Sequence, residues 1–213
     1  MSEFEFKLQQ ANRAVGLGKL SRRDFMQFVM AAGFSAIGDG SMLVISGGYL
    51  YLVAQSGDGV DSNGNLTISG GTVIVDGPAS QPNVGIDVNG TYLINGGFVL
   101  CVQSSGMMAQ SPSTSSTQRS LVASHSSGSY TAGTLYHIEN ASGTSLVTFS
   151  PPHAYSNAVL STSNLVSGTS YKIYTGGTCT GTATDGLYSG GTYSGGTLRT
   201  TFTSSGTVQT VTF

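Results

Sequence analysis

The chain has 213 residues, of which 8% are charged and 31 are glycine, and its formal net charge is −2. An ordinary soluble domain carries about 25% charged residues, and the glycine, serine and threonine that replace them here disfavour helix, since Gly costs about 1 kcal/mol per helical position and Ser and Thr compete for the backbone. Beyond residue 40 only Arg119, Lys172 and Arg199 are basic against six acidic residues, too few to neutralise a phosphate backbone, so nucleic acid is excluded as a partner.

Residues 1–38 read as a separate leader. Five of the eight basic residues (Lys7, Arg13, Lys19, Arg22 and Arg23) fall in the first 23 positions. They precede the apolar stretch from Phe25 to Ile37, which is too short to span a bilayer as a helix but suits a signal-peptide core. Ser21-Arg22-Arg23-Asp24-Phe25-Met26 resembles the twin-arginine export motif, and the wider leader is similar to those of exported bacterial solute-binding proteins. The resemblance implies an exported protein of the periplasm, cell surface or exterior, meeting a membrane only transiently through Arg22 and Arg23. A helical leader packed on the β body is the alternative.

Residues 39–109 carry a repeat. Met42-Leu-Val-Ile-Ser-Gly-Gly48, Asn65-Leu-Thr-Ile-Ser-Gly-Gly71 and Thr91-Tyr-Leu-Ile-Asn-Gly-Gly97 align on their Gly-Gly pairs. A period in the twenties, with a strand on either side of a Gly turn, predicts a solenoid whose units bury their apolar faces only by stacking. The fold class expected is all-β: a short right-handed parallel β-helix of about three coils, followed by a small antiparallel sheet or sandwich. Strand alternation points Leu43/Leu66/Tyr92, Ile45/Ile68/Ile94, Leu50/Val73/Val99 and Leu52/Val75/Cys101 inward. It leaves Tyr49/Thr72/Phe98 and Tyr51/Ile74/Leu100 as an apolar outward strip, which the C-terminal region is expected to cover.

Residues 110–129 read as a polar Ser/Thr-rich linker. Beyond it, 130–213 contains short strand signals at Thr134–Glu139, Ser145–Phe149, Ala158–Ser161, Ser170–Tyr174, Leu198–Thr203 and Thr207–Phe213, separated by turn residues. They predict the antiparallel C-terminal region, with the doubled Tyr-Ser-Gly-Gly-Thr at Tyr188 and Tyr193 as tight loops.

Gly57-Asp-Gly-Val-Asp-Ser-Asn-Gly-Asn-Leu-Thr-Ile-Ser-Gly-Gly-Thr-Val-Ile-Val75 and Gly85-Ile-Asp-Val-Asn-Gly90 resemble a bacterial carbohydrate-binding β-helix family of secreted and surface proteins. The later Ser105-Gly-Met-Met-Ala-Gln-Ser-Pro112, Tyr174-Thr-Gly-Gly177 and Gly186-Leu-Tyr-Ser-Gly-Gly-Thr-Tyr193 are similar to the C-terminal end of those proteins, so the likeness spans about residues 42–213. It implies an extracellular carbohydrate-binding protein whose solenoid is shortened here.

Two constellations carry candidate chemistry. Asp61 and Asp87 fall at equivalent repeat positions with Asp58 beside them, and stacked carboxylates either accept bonds from their own turns or bind a hard cation such as Ca²⁺. No other cofactor is implied. Tyr49, Tyr51, Phe98, Tyr188 and Tyr193 are candidates for stacking on a polysaccharide or glycan. Catalysis is not expected: no Lys, Arg or His lies between residues 24 and 118, and the chain has no Trp. The three histidines lack ligand spacing, and Cys101 and Cys179 are expected as free thiols. The function expected is a non-catalytic carbohydrate-binding or surface-adhesion module. A structural subunit self-assembling through its solenoid ends and the remnant of a β-helix polysaccharide-degrading enzyme stand as alternatives.

Overall fold

The computed structural model describes residues 42–79, 82–104 and 109–213. The expected leader, with Arg22 and Arg23, lies outside the described residues. Every regular element among the described residues is a strand, which bears out the all-β class.

The repeats form β1 (Met42–Ile45), β2 (Tyr49–Val53), β3 (Val60–Ser62), β4 (Asn65–Asp76), β5 (Ile86–Val88) and β6 (Tyr92–Gln103). β1 and β2 both pair in parallel with β4, which pairs in parallel with β6. Ile45, Ile68 and Ile94 stand in one row, and Leu50, Val73 and Val99 in another, the register that superposing the Gly-Gly pairs predicts. A second parallel stack joins β3 to β5. Each Gly-Gly pair is a bend: Gly48, Gly71 and Gly97 sit at φ of 82°, 83° and 87°, the left-handed region that glycine enters without penalty.

The remaining strands are β7 (Ser120–Ser124), β8 (Tyr136–Asn140), β9 (Ser145–Phe149), β10 (Asn157–Ser161), β11 (Ser170–Thr175), β12 (Thr178–Cys179), β13 (Thr182–Thr184), β14 (Leu187–Ser189), β15 (Tyr193–Ser194), β16 (Thr197–Thr203) and β17 (Val208–Thr212). They do not all form a separate C-terminal sheet. β10 pairs antiparallel with β6 and with β7, and β17 runs parallel to β7, so the repeat sheet continues across the expected boundary. The linker expected at 110–129 is corrected at the same point, because its residues 120–124 are a buried strand within that sheet. A second, antiparallel sheet has the order β13-β14-β9-β8-β11-β16.

The large sheet thereby buries both of its faces. One face carries the predicted inward ladders, packed with Val60, Ile86 and Val88 of the β3–β5 stack, and Val122 and Val159 prolong it. The other carries Ile74 and Leu100 with Tyr51 and Phe98, against Tyr136, Ile138, Val147, Phe149, Tyr171 and Ile173 of the second sheet. The C-terminal half therefore covers the strip fully at Ile74 and Leu100 and partly at Tyr51 and Phe98, as expected, but leaves Tyr49 exposed. Ile74 and Leu100 are fully buried, each contributing roughly 1.5–3 kcal/mol over an exposed position.

Candidate functional site

Titratable side chains converge where β2, at the edge of the large sheet, meets the β13–β14 hairpin of the second. Asp185-Gly186 forms the hairpin's two-residue loop, with φ of 50° and 78° and Thr184 paired to Leu187. Asp-Gly is suited to such a loop because both positions need positive φ, which Asp tolerates better than most residues and Gly without cost. The loop is pinned from below: the Ser150 N–H donates to the Gly186 carbonyl at 2.8 Å, and a Cβ on Gly186 would stand 2.5 Å from Ser150 O. Asp185 is thereby projected over β2, where its Oδ2 accepts the Tyr49 hydroxyl at 2.9 Å. The Tyr49 ring remains 45% exposed.

Burial, then the bond to Asp185 and its charge, pushes the Tyr49 phenol up to about 12. The Tyr51 phenol is also raised, by burial and then by Asp76 and Asp185. Asp76 ends β4 on the face that carries Ile74, and it is 1% exposed. Its partner, His153, arrives on the loop between β9 and β10, with Nδ1 2.5 Å from Asp76 Oδ2 and 3.2 Å from the Gly77 carbonyl. A carbonyl can only accept, so Nδ1 is the protonated ring nitrogen, lying between the Gly77 carbonyl and the carboxylate. The same Nδ1 stands within hydrogen-bonding reach of the Asp76 carboxylate, and the charge and hydrogen bonds of His153 favour its ionised form. Burial raises the Asp76 carboxyl to about 6 against the opposing pull of His153. The Cys101 thiol, raised to about 12 by burial, also feels the Asp76 charge.

The expected stacking residues are thus dispersed. Tyr49 is the one with a large exposed ring. Tyr51 and Phe98 are half-buried against the inter-sheet core, and Tyr188 lies half-buried in β14 opposite Ala183. Tyr193 lies on the outer face of the second sheet, its ring stacked on His137 at 3.8 Å and its hydroxyl donating to Gly176 O at 2.8 Å. Beneath it His137 Nδ1 lies 2.7 Å from the Thr148 hydroxyl and Nε2 3.5 Å from Glu139, which also accepts from Tyr174.

In the β3–β5 stack Asp61 and Asp87 are register partners, as their equivalent positions predict. Asp58 Oδ1 accepts the Val84 N–H at 2.7 Å, and Asp87 Oδ1 accepts Gln110 Nε2 at 2.7 Å while Gln110 Oε1 accepts the Val88 N–H. Burial, then the charges of Asp58 and Asp61, raises the Asp87 carboxyl. Asp58 and Asp87 thus serve the backbone stack as acceptors. Among the described residues no three His, Cys, Asp or Glu side chains are grouped to hold a metal ion. Cys101 and Cys179 are free.

Sequence reasoning missed Asp76, His153 and Asp185. The Asp-Gly pair at 185–186 was a readable hairpin signal, whereas nothing local connects His153 to Asp76. Comparison with protein-family models, with curated proteins and with solved structures gave no match to this chain.

Proposed function

We propose that the chain is a non-catalytic carbohydrate-binding or surface-adhesion module of an exported bacterial protein, and that its glycan contact is the exposed ring face of Tyr49 with Asp185 beside it. The fold reading that accompanies it is a short right-handed parallel β-helix, its strands extended by the C-terminal half. The observation that carries the proposal is the exposed Tyr49 ring tethered through its hydroxyl to Asp185. A fixed aromatic face costs little ordering entropy when a sugar packs its C–H groups on it, and the carboxylate beside it accepts from sugar hydroxyls with a charge-assisted bond. Export is supported by the resemblance of Ser21–Met26 to the twin-arginine motif. The glycan reading needs no metal, and a Ca²⁺ effect would implicate the Asp58, Asp61 and Asp87 row separately.

The test is binding of the full chain to a broad polysaccharide panel, with and without Ca²⁺, alongside Tyr49→Ala and Asp185→Asn. Saturable binding weakened about tenfold or more by Tyr49→Ala is expected, the loss of one well-placed aromatic contact. Binding indifferent to both substitutions, or absent from folded protein, overturns the reading.

A further inference from the structure

We infer that the β1–β2 edge of the large sheet is a two-fold interface with a second copy of this chain. The inference does not rest on the glycan reading. Among the described residues β1 and β2 pair only with β4, so their outer side presents unpaired backbone groups. Natural edges are guarded by charge, Pro or bulges. This one reads Met-Leu-Val-Ile and Tyr-Leu-Tyr-Leu-Val, with Met42 42% exposed and Leu50, Leu52 and Tyr51 half-covered.

Gly47 indicates that another backbone crosses there. In the second repeat a Cβ on Gly70 would lie 2.5 Å from Ser46 O, and a Cβ on Gly96 in the third would strike Ser69 O in the same way. These glycines exist because the preceding repeat's backbone runs against them. Gly47 holds the same place in the first repeat without a left-handed φ, and among the described residues nothing lies within 4 Å of its Cβ position. Residues 1–41 contain no Gly-Gly pair, and an offset of 23 residues, that between the first two repeats, sets Asp24-Phe25 against Gly47-Gly48. The Gly-Gly motif is therefore not continued in the preceding sequence.

A second copy does fit. Antiparallel pairing about an axis through the Gly47-Gly48 bend sets Ile45 of one copy opposite Leu50 of the other, and Leu43 opposite Leu52. Opposed residues in an antiparallel pair share a face, and all four of these belong to the same core, so that core continues across the axis. A slip of one residue would set Leu43 against Tyr51, which faces the other core, and lose that match. The far edge, β17, has five residues and no Gly-Gly bend, so it matches only half of β1–β2. Closed two-fold pairing is also the commonest arrangement of oligomers.

The test is sedimentation and light scattering of the full chain over a concentration series. A dimer is expected, and Met42→Lys with Val53→Lys, which this register sets directly opposite each other at both ends of the pair, should raise its dissociation constant by at least about a hundredfold through like-charge repulsion. The circular dichroism spectrum of the variant should be unchanged. In a Cys179→Ser background, mixing Met42→Cys with Val53→Cys chains should give the mixed disulfide on oxidation. A monomeric full chain, including one whose residues 1–41 occupy the edge, overturns the inference. So does a lysine variant that remains dimeric, or cross-linking only between like positions.

Discussion

Replacing Asp76 by Asn should stabilise the protein at neutral pH and do so in a pH-dependent way. Asp76 is 1% exposed, and burial raises its carboxyl from 3.8 to about 6 even against the charge and hydrogen bonds of His153. The native state therefore keeps a proton that the unfolded chain releases near pH 3.8. Below that pH both states are protonated and the site is neutral in its effect. As pH rises to about 6 the native state loses stability, and above it the penalty is complete. At about 1.4 kcal/mol per pH unit the loss is about 3 kcal/mol, or roughly 6–12 °C in Tm for a chain of this size. The groups nearest the carboxylate are His153, Tyr51 and Cys101, and the two acids among them stay neutral below pH 8, being raised above 10 and 9. Urea unfolding of wild type and Asp76→Asn between pH 4 and 8 should show the variant's advantage growing from near zero to about 3 kcal/mol. An advantage that is flat with pH, or a variant less stable at pH 7, would refute the argument.

Gly70→Ala should cost about 1–3 kcal/mol by overpacking, because the atom its Cβ meets is the Ser46 carbonyl, a backbone group that cannot swing aside; an unchanged urea midpoint would count against the repeat stacking. Tyr193→Ala should uncover His137, whose imidazole is held below its ordinary value chiefly by burial, so its NMR titration should move upward. A His137 titration that stays put would mean that Tyr193 contributes nothing to that burial. Asp185→Asn should bring the Tyr49 titration down from about 12 toward 10 without reaching it, since burial is the larger cause; ultraviolet difference titration reads this directly, and no movement would contradict the bond to Asp185.

The repeat registers were legible because each Gly-Gly pair is flanked by the same alternation, and parity across it sends Leu43 and Leu50 to one core. The covered strip followed from the same parity. β7 was not legible. Its strand Ser-Leu-Val-Ala-Ser is short and serine-bounded, and it feeds Val122 to one core and Leu121 and Ala123 to the other, so it shows no one-sided alternation. Its surroundings looked like linker because their polar groups serve long-range bonds, as when Gln118 Nε2 donates to the Gly97 carbonyl and to Ser161 Oγ. The candidate site was half visible. Tyr49 stood out as an outward aromatic, but Asp185 and His153 reach it and Asp76 through the docking of the second sheet, which no local pattern encodes.

The glycan contact is tested most directly by the ring resonances of the chain's tyrosines, followed by NMR as polysaccharide fragments are added. The Tyr49 ring should shift in a saturable way while the Tyr193 ring, already stacked on His137, stays in place. Saturable shifts confined to other tyrosines, or no shift with any fragment, would contradict the account.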